Sequence, residues 1–538
     1  MNNLQASISL DQNVADYINQ EAEKVISIYR RLYPSRELRF VFREGKNPIF
    51  GEAIVTEGKA ALHPGQLGAD YLGQMTVPSP QGDGLSVTVT TTIPRLPLPN
   101  EYRQTVAPWA PQRPLKPVFR LFPMLYEQIR YLAEMLRKKR SDGRHMITAL
   151  PLGKGSGLFS APGAPANDKR PAVLIGMHWL EVGGAEKLAF DTIRWAHEAG
   201  LRVFVVAGIP ELQRLQGQLP DSPDITFLRL DRYLPHHLWP RYIEDLIRAE
   251  NIRLIHIHHC TPLYDALPQV RSMTPWVKVI DSTHIVEYAD GGYPRISGVW
   301  SNFIDLHHVI SGELVDYYRN TFHVVGKVRL GRMLDRDKDM QAMPEFNMQA
   351  TQKSLHISFI GRLYYQKRPV IVMEAFRRLT RWAVQNNVEL KASIVGEGPF
   401  LTTLQGLARR YELQDQITFL PADTDVPALL EKTDIMLLPS NNEGLALVCY
   451  EAIKHGCIPV STDVGSQYEI VPPDLLVPLP PRATVRQILS IVDQLWRDPA
   501  FLARQKQELL KALSKISGDM TAREVLMPIY RDAARNEG

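Results

Sequence analysis

The chain has 538 residues, past the length at which a single hydrophobic core stops growing, so two or three domains are expected. With 44% hydrophobic and 22% charged residues it is globular in composition, which excludes a disordered chain. A formal net charge of +4, from 62 basic and 58 acidic residues, is too mild to argue for nucleic acid, though it suits anionic small molecules or a membrane surface. Cys260, Cys449 and Cys457 form no CxxC pattern, so reduced thiols and a reducing compartment are expected. The opening MNNLQASISLDQNVADYINQ shows no secretory pattern, and no apolar run approaches the ~20 residues that span a bilayer. The expectation is a cytoplasmic protein, with peripheral contact at the inner membrane left open.

Residues 1–165 read as an α+β accessory region. A helix over VADYINQEAEKVISIYRRLY precedes strand-like LRFVF and LSVTVTTTI. The proline-rich IPRLPLPNEYRQTVAPWAPQRPLKP should be extended. VFRLFPMLYEQIRYLAEMLRKKR then reads as a helix ending in the basic cluster Arg137 to Arg140. In it Leu121, Leu125, Ile129 and Leu132 stand at helical spacing, fitting either a core-facing stripe or one face of a membrane-surface helix. The Gly/Pro/Ala-rich GKGSGLFSAPGAPANDKRP separates this region from the next.

From Pro171 the texture changes. AVLIGMHW, RVFVVAG, ITFLRL, LIHIHH, KVIDSTH and LHHVIS are candidate buried parallel strands, with helical stretches between them. After the linker-like residues 332–353 the pattern restarts with LHISFIGR, ELKASIVGEG, ITFLPA, DIMLLPS and CIPVST. Two Rossmann-like domains facing across a cleft are expected, at 171–335 and 354–515, with residues 516–538 forming a helix that packs back on the first of them.

Four motifs carry the chemistry. In HWLEVGGAEKLAFDTIRWA, Gly183 and Gly184 let a backbone approach a ligand where a helix amino terminus favours an anion; a tight turn would need the same glycines. In SFIGRLYYQKRP, Arg362 and Lys367 place two cations after a parallel strand, suited to a diphosphate or simply to a solvated loop. Gly396 and Gly398 of VGEGP permit a turn beside the same crevice. In EGLALVCYEAIKHGCIPV, Glu443 is placed in a strand–helix loop and Glu451 about two turns inside the helix, or roughly 11–12 Å away. That separation is too great for a close hydrolytic dyad and fits a ligand with hydroxyls at both ends of a diphosphate. The N–H groups near Gly444 and Leu445 would point at that diphosphate, and Gly456 would end the helix.

Taken in order, GGAE, GRLYYQK, VGEGP and E-x7-E resemble the retaining glycosyltransferases of family 4, with the GT-B fold, over about residues 171–535. The resemblance implies a nucleotide-diphosphate sugar donor. Arg362 and Lys367 would neutralise the leaving diphosphate, Glu451 would hold the ribose and Glu443 would contact the transferred sugar. The nucleobase would rest at Pro421 to Thr424, Gly183 and Gly184 would approach from the other domain, and His284 would lie near donor sugar and acceptor. Neither cofactor nor metal is implied. DTD at 423–425 reads as a cap for the helix PALLEK, and the histidines of LIHIHHC lack ligand partners at metal-binding spacing.

Three positions depart from the family pattern. KVRLGRML replaces a frequent hinge turn, Ser466 replaces a glycine after Gly465, and Ala446 replaces a glycine in E-x7-E. The leading reading is a metal-independent glycosyltransferase acting on a glycan or lipid-linked acceptor in bacterial lipopolysaccharide or surface-polysaccharide synthesis. A nucleotide-sugar epimerase of similar architecture and a non-catalytic sugar-nucleotide scaffold are the alternatives. The sequence does not give the oligomeric state.

Overall fold

The computed structural model describes residues 12–45, 52–58, 68–79, 85–94 and 109–535, apart from 112, 142, 154–166, 182–183, 212, 288, 335–343 and 350–351. Most of the proline-rich passage, most of the Gly/Pro/Ala-rich link and part of the linker at 332–353 therefore lie outside the described residues. The helix α1 (Gln12–Leu32) precedes a four-stranded mixed sheet: β1 (Glu37–Gly45), β2 (Ile54–Glu57), β3 (Tyr71–Val77) and β4 (Ser86–Pro94), in the order β2-β4-β1-β3. Two further helices follow, α2 (Lys116–Leu121) and α3 (Pro123–Ser141). Phe122, just before Pro123, breaks what reads from sequence as one helix, because the residue before a proline is pushed out of helical conformation.

The first parallel sheet holds seven strands: β5 (Ala172–Met177), β6 (Arg202–Ala207), β7 (Ile225–Leu228), β8 (Ile252–His258), β9 (Lys278–Thr283), β10 (Leu306–Val309) and β11 (Val328–Leu330). Their order is β11-β10-β9-β8-β5-β6-β7, with α4 (Gly184–Glu198) and α5 (Trp239–Glu250) among the covering helices. The second sheet holds β12 (Ser354–Ile360), β13 (Glu389–Val395), β14 (Ile417–Leu420), β15 (Ile435–Leu438), β16 (Ile458–Thr462) and β17 (Leu476–Val477), in the order β14-β13-β12-β15-β16-β17. Its helices include α6 (Pro369–Gln385), α7 (Leu401–Arg410), α8 (Leu447–Lys454), α9 (Pro481–Arg497) and α10 (Pro499–Gly518). The near-continuous apolar runs of β5, β15 and β16 are buried throughout, as strands covered on both faces must be. Finally α11 (Ala522–Ala534) returns to the first sheet, where the Tyr530 hydroxyl meets His256 Nδ1 at 2.7 Å.

The accessory region divides between the two domains. Ile18, Val25, Tyr29 and Phe40 share one core with Trp239, Tyr242 and Ile243 of the first domain. Tyr29 donates to the Tyr233 carbonyl, and Arg31 pairs with Asp245 and Glu250. The chain then crosses to the second domain. There Trp109 stacks on Phe400 with centroids 4.4 Å apart, and α3 lies on α6 and α9. At its far end Ser141 Oγ reaches the Ala289 carbonyl of the first domain, so α3 works as a strap between the two.

Candidate functional site

Ligands of open parallel sheets bind beyond the carboxyl ends of the strands. In the second domain β12 ends in the turn Gly361–Arg362. Gly396, with φ +133°, lies beneath that turn, where a Cβ would collide with the Gly361 carbonyl. Leu363 N–H donates to the Glu397 carbonyl at 2.8 Å, fixing the two loops against each other. Gly396 thus shapes the turn that presents Arg362. Arg362 is exposed and faces Glu186 in the first turn of α4. Burial raises the Glu186 pKa while Arg362 opposes the rise, and the Trp179 indole N–H donates to the same carboxylate at 2.8 Å.

Lys367 ends a short 3-10 turn, Tyr365–Lys367, and its Nζ pairs with Glu443. The side chains are 16% and 9% exposed, so this is a largely desolvated ion pair rather than two independent groups. The loops carrying them are tied by Gln366, which donates to the Asn442 carbonyl and accepts from Asn441 N–H at its backbone, each at 2.8 Å. Gly465, at φ +58°, leaves room for the Glu443 carbonyl behind the pair.

The E-x7-E segment differs from the sequence expectation. The helix α8 begins at Leu447 behind Ala446, so Gly444 and Leu445 precede it and Glu451 stands about one turn inside, not two. Glu451 is exposed. Gly456 follows the helix with φ +72°, as expected of a C′ glycine. Pro421 is exposed at the carboxyl end of β14, and Asp425 caps the next helix by accepting from Ala428 N–H at 3.1 Å.

The opposing wall comes from the first domain. Gly183 lies outside the described residues, and Gly184 is the first residue of α4. His284, after β9, is buried, and among the described residues neither ring nitrogen has a hydrogen-bond partner. Burial drives its pKa down to about 3, which keeps it a neutral imidazole. It meets His259 edge-on at 5.0 Å, and His259 stacks on Tyr293 at 4.4 Å. Gly444 abuts the His284 carbonyl, so the Glu443 loop and the His284 loop touch across the crevice. The remaining histidines of LIHIHH serve packing: His256 lies between Tyr530 and Ser282, and His258 bonds Thr192.

Several residues at this junction escaped the sequence reading. Arg332, which follows β11, is 3% exposed and pairs with Glu469 at 2.5 Å and Asp519 at 2.8 Å. Glu469 also accepts from Gly312 N–H at 2.8 Å, and Ser466 Oγ accepts from Glu313 N–H at 3.3 Å. The departure at Ser466 thereby gains an account, since its hydroxyl bonds across the domain junction. Beneath the Lys367 turn, Tyr365 donates to Glu134 at 3.0 Å while the Arg130 guanidinium covers its ring at 3.1 Å. Glu127 of α3 is buried near Arg368, and burial pushes its pKa up to about 7. Only a long-range pairing of the accessory helix with the second domain reveals these contacts.

Two parallel-sheet domains meeting at a crevice make the GT-B architecture. The family model described as "Glycosyl transferases group 1" matches residues 345–507, and "Glycosyltransferase Family 4" matches residues 182–330. The chain belongs to glycosyltransferase family 4 and is a glycosyltransferase. It is 24% identical over 310 residues to the N-acetyl-alpha-D-glucosaminyl L-malate synthase of Bacillus anthracis, covering 54% of this chain and 78% of that one. It is also 24% identical to one subunit of the phosphatidylinositol N-acetylglucosaminyltransferase of Arabidopsis thaliana, over 44% of this chain and 53% of the relative, about half its length. A glycosyltransferase structure from Rickettsia africae superposes with a TM-score of 0.50 at 15% identity, over 69% of this chain and 100% of the other, which bears on the fold.

Proposed function

We propose that the enzyme transfers a sugar, with retention at the anomeric carbon and without a metal, from a nucleotide-diphosphate donor to a glycan or lipid-linked acceptor. The observation that carries this reading is the placing of Arg362 and the Lys367–Glu443 pair at the carboxyl ends of the second sheet. Cleavage of the bond between the anomeric carbon and the phosphate oxygen leaves an electron pair on the nucleoside diphosphate. Preorganised cations stabilise that charge with little reorganisation, and Arg362 and Lys367 supply two. The acceptor hydroxyl oxygen bonds the anomeric carbon on the face the diphosphate leaves, and its proton departs with the released phosphate.

Each remaining residue has a role in this scheme. Glu443 accepts a hydrogen bond from the sugar, Glu451 holds the ribose, and Pro421 borders the base. His284, kept neutral, bonds a hydroxyl of sugar or acceptor. Gly184 and Gly183 approach from the first domain, while Gly396, Gly444 and Leu445 set the backbone around the diphosphate. Capping of a helix by Asp425 favours a structural role for the DTD triplet over a metal-binding one. The reaction is assigned to bacterial lipopolysaccharide or surface-polysaccharide synthesis, in the cytoplasm and at the cytoplasmic face of the inner membrane. Among the described residues no helix is long and apolar enough to cross a membrane.

Two relatives carry N-acetylglucosaminyl in their names, which makes nucleotide-linked N-acetylglucosamine the first donor to try. A thermal-shift panel of nucleotide sugars tests the proposal, because a ligand bound to the native state raises its midpoint. Stabilisation by one nucleotide sugar and its loss in Lys367→Ala are expected. A panel with no stabilising member would overturn the reading.

A further inference from the structure

The strap helix inverts the usual arrangement of an amphipathic helix. Its buried side carries Tyr126 and Glu127, with Arg130 and Glu134 meeting Tyr365. Its apolar stripe faces outward: Leu125 is 38% exposed, Ile129 36%, Leu132 52% and Leu136 57%. Leu121 and Phe122, 60% and 61% exposed, extend the stripe at its amino end. Soluble proteins rarely leave so contiguous an apolar row open, and such rows mark interaction surfaces. Among the described residues nothing covers it.

Charge identifies the occupant. At the amino end of the stripe a groove of about 670 Å³ opens between Leu121–Leu125 and the second domain, lined by Arg377, Arg378, Arg410 and Arg482. Its one acid, Glu374, is already engaged by Arg377 and Arg378 at 3.0 and 2.9 Å, which leaves the groove with net positive charge. At the carboxyl end stand Arg137, Lys138, Lys139 and Arg140. An apolar row with cations at both ends matches acyl chains between anionic headgroups.

We infer that the outward face of α3, with the arginine groove, docks the protein on an anionic phospholipid bilayer. Headgroup phosphates occupy the groove and the leucine row enters the acyl boundary. This deepens the placement at the inner membrane proposed above and rests on that reading only for what it implies about the acceptor. Because Ser141 bonds Ala289, the basic end of the docked helix lies beside the loop that follows His284, and a lipid-linked acceptor would enter there.

Flotation of the full chain with vesicles of phosphatidylglycerol and phosphatidylcholine, against phosphatidylcholine alone, tests the inference. Recovery at least tenfold higher on the anionic vesicles is expected. Leu132→Glu/Leu136→Glu should reduce it tenfold or more, and Arg482→Ser severalfold; all three side chains are exposed, so folding should persist, checked by an unchanged melting midpoint. Equal recovery of wild type and the leucine variant would overturn the proposal. So would a wild type that does not float but sediments as a dimer that the leucine variant abolishes, since a second copy would then own the stripe. Flotation reads docking without turnover, so its failure alongside intact nucleotide-sugar binding would strike this inference and spare the donor site.

Discussion

The ion pair of Lys367 and Glu443 can be tested as a structural element and as a site element at once. Lys367→Met removes the cation and leaves a carboxylate 9% exposed among Gly444, Gly465 and Cys449. Breaking a buried pair from one side costs about 3–5 kcal/mol; with 16% exposure on the lysine, a loss of about 2–3 kcal/mol is expected. Adding Glu443→Gln removes the stranded charge, so the double variant should recover to within about 1 kcal/mol of wild type. Binding should not recover. A charge-assisted bond is worth about 1.5–3 kcal/mol, so both variants should bind the nucleoside diphosphate roughly 10- to 150-fold more weakly. Urea unfolding followed by the second domain's fluorescence gives the first quantity and calorimetry with the diphosphate gives the second. An unchanged urea midpoint in Lys367→Met would refute the pair. Wild-type diphosphate affinity in the double variant would refute its place in the donor site.

Glu451→Ala should weaken nucleotide-sugar binding by about tenfold while moving the melting midpoint little, because the residue is exposed; unchanged calorimetric affinity would remove it from the site. Glu127→Gln should erase a pH dependence. With its pKa raised from 4.5 to about 7, the folded state keeps a proton the unfolded state releases, so stability is full below about 4.5 and is lost as pH rises through 7. The difference is worth about 3 kcal/mol at most. Melting of both forms between pH 5 and 8 should show the wild type losing ground to the variant, and parallel curves would count against a buried, charge-averse Glu127. Gly444→Ala would drive a methyl into the His284 carbonyl and force the domains apart; small-angle scattering should report a larger radius and activity should fall severalfold.

Much of the fold was legible because parallel strands buried on both faces announce themselves as short β-branched runs. AVLIGMHW, LIHIHH, LHISFIGR and CIPVST all became strands for that reason. The turn after β12 was legible because a glycine closes a buried parallel strand there, while Arg362 and Lys367 by themselves fitted a solvated loop as well as an anion site. The start of α8 was misplaced because Leu445 and Ala446 are good helix formers, while close approach of Gly444 to His284 and its bond from Ser466 hold this stretch out of the helix. Strands β2 and β3 passed unnoticed, being short or interrupted by polar residues. Partner choice is carried by surfaces distant in sequence, so nothing local announced that Trp109 would stack on Phe400 or Arg332 would meet Glu469.

The strap helix shows most clearly where periodicity stops being informative. A row at 125, 129, 132 and 136 satisfies the rule for a core-facing helix, and the rule names a face without naming its medium. Here the protein takes the polar side, burying Glu127 and seating Arg130 and Glu134 on Tyr365, two residues before Lys367. The apolar side is thereby left for a different solvent. One helix thus touches the turn that presents Lys367 and, on its other face, carries the leucine row proposed to meet lipid. Loss of the Tyr365 contacts would free that turn without altering a single residue of the crevice. A Tyr365→Phe variant separates the two: removing the hydroxyl deletes the bond to Glu134 but keeps the ring under Arg130. Nucleoside-diphosphate affinity should drop severalfold while vesicle flotation stays at wild-type level. An unchanged affinity would mean that α3 only rests on the second domain and does not brace the Lys367 turn.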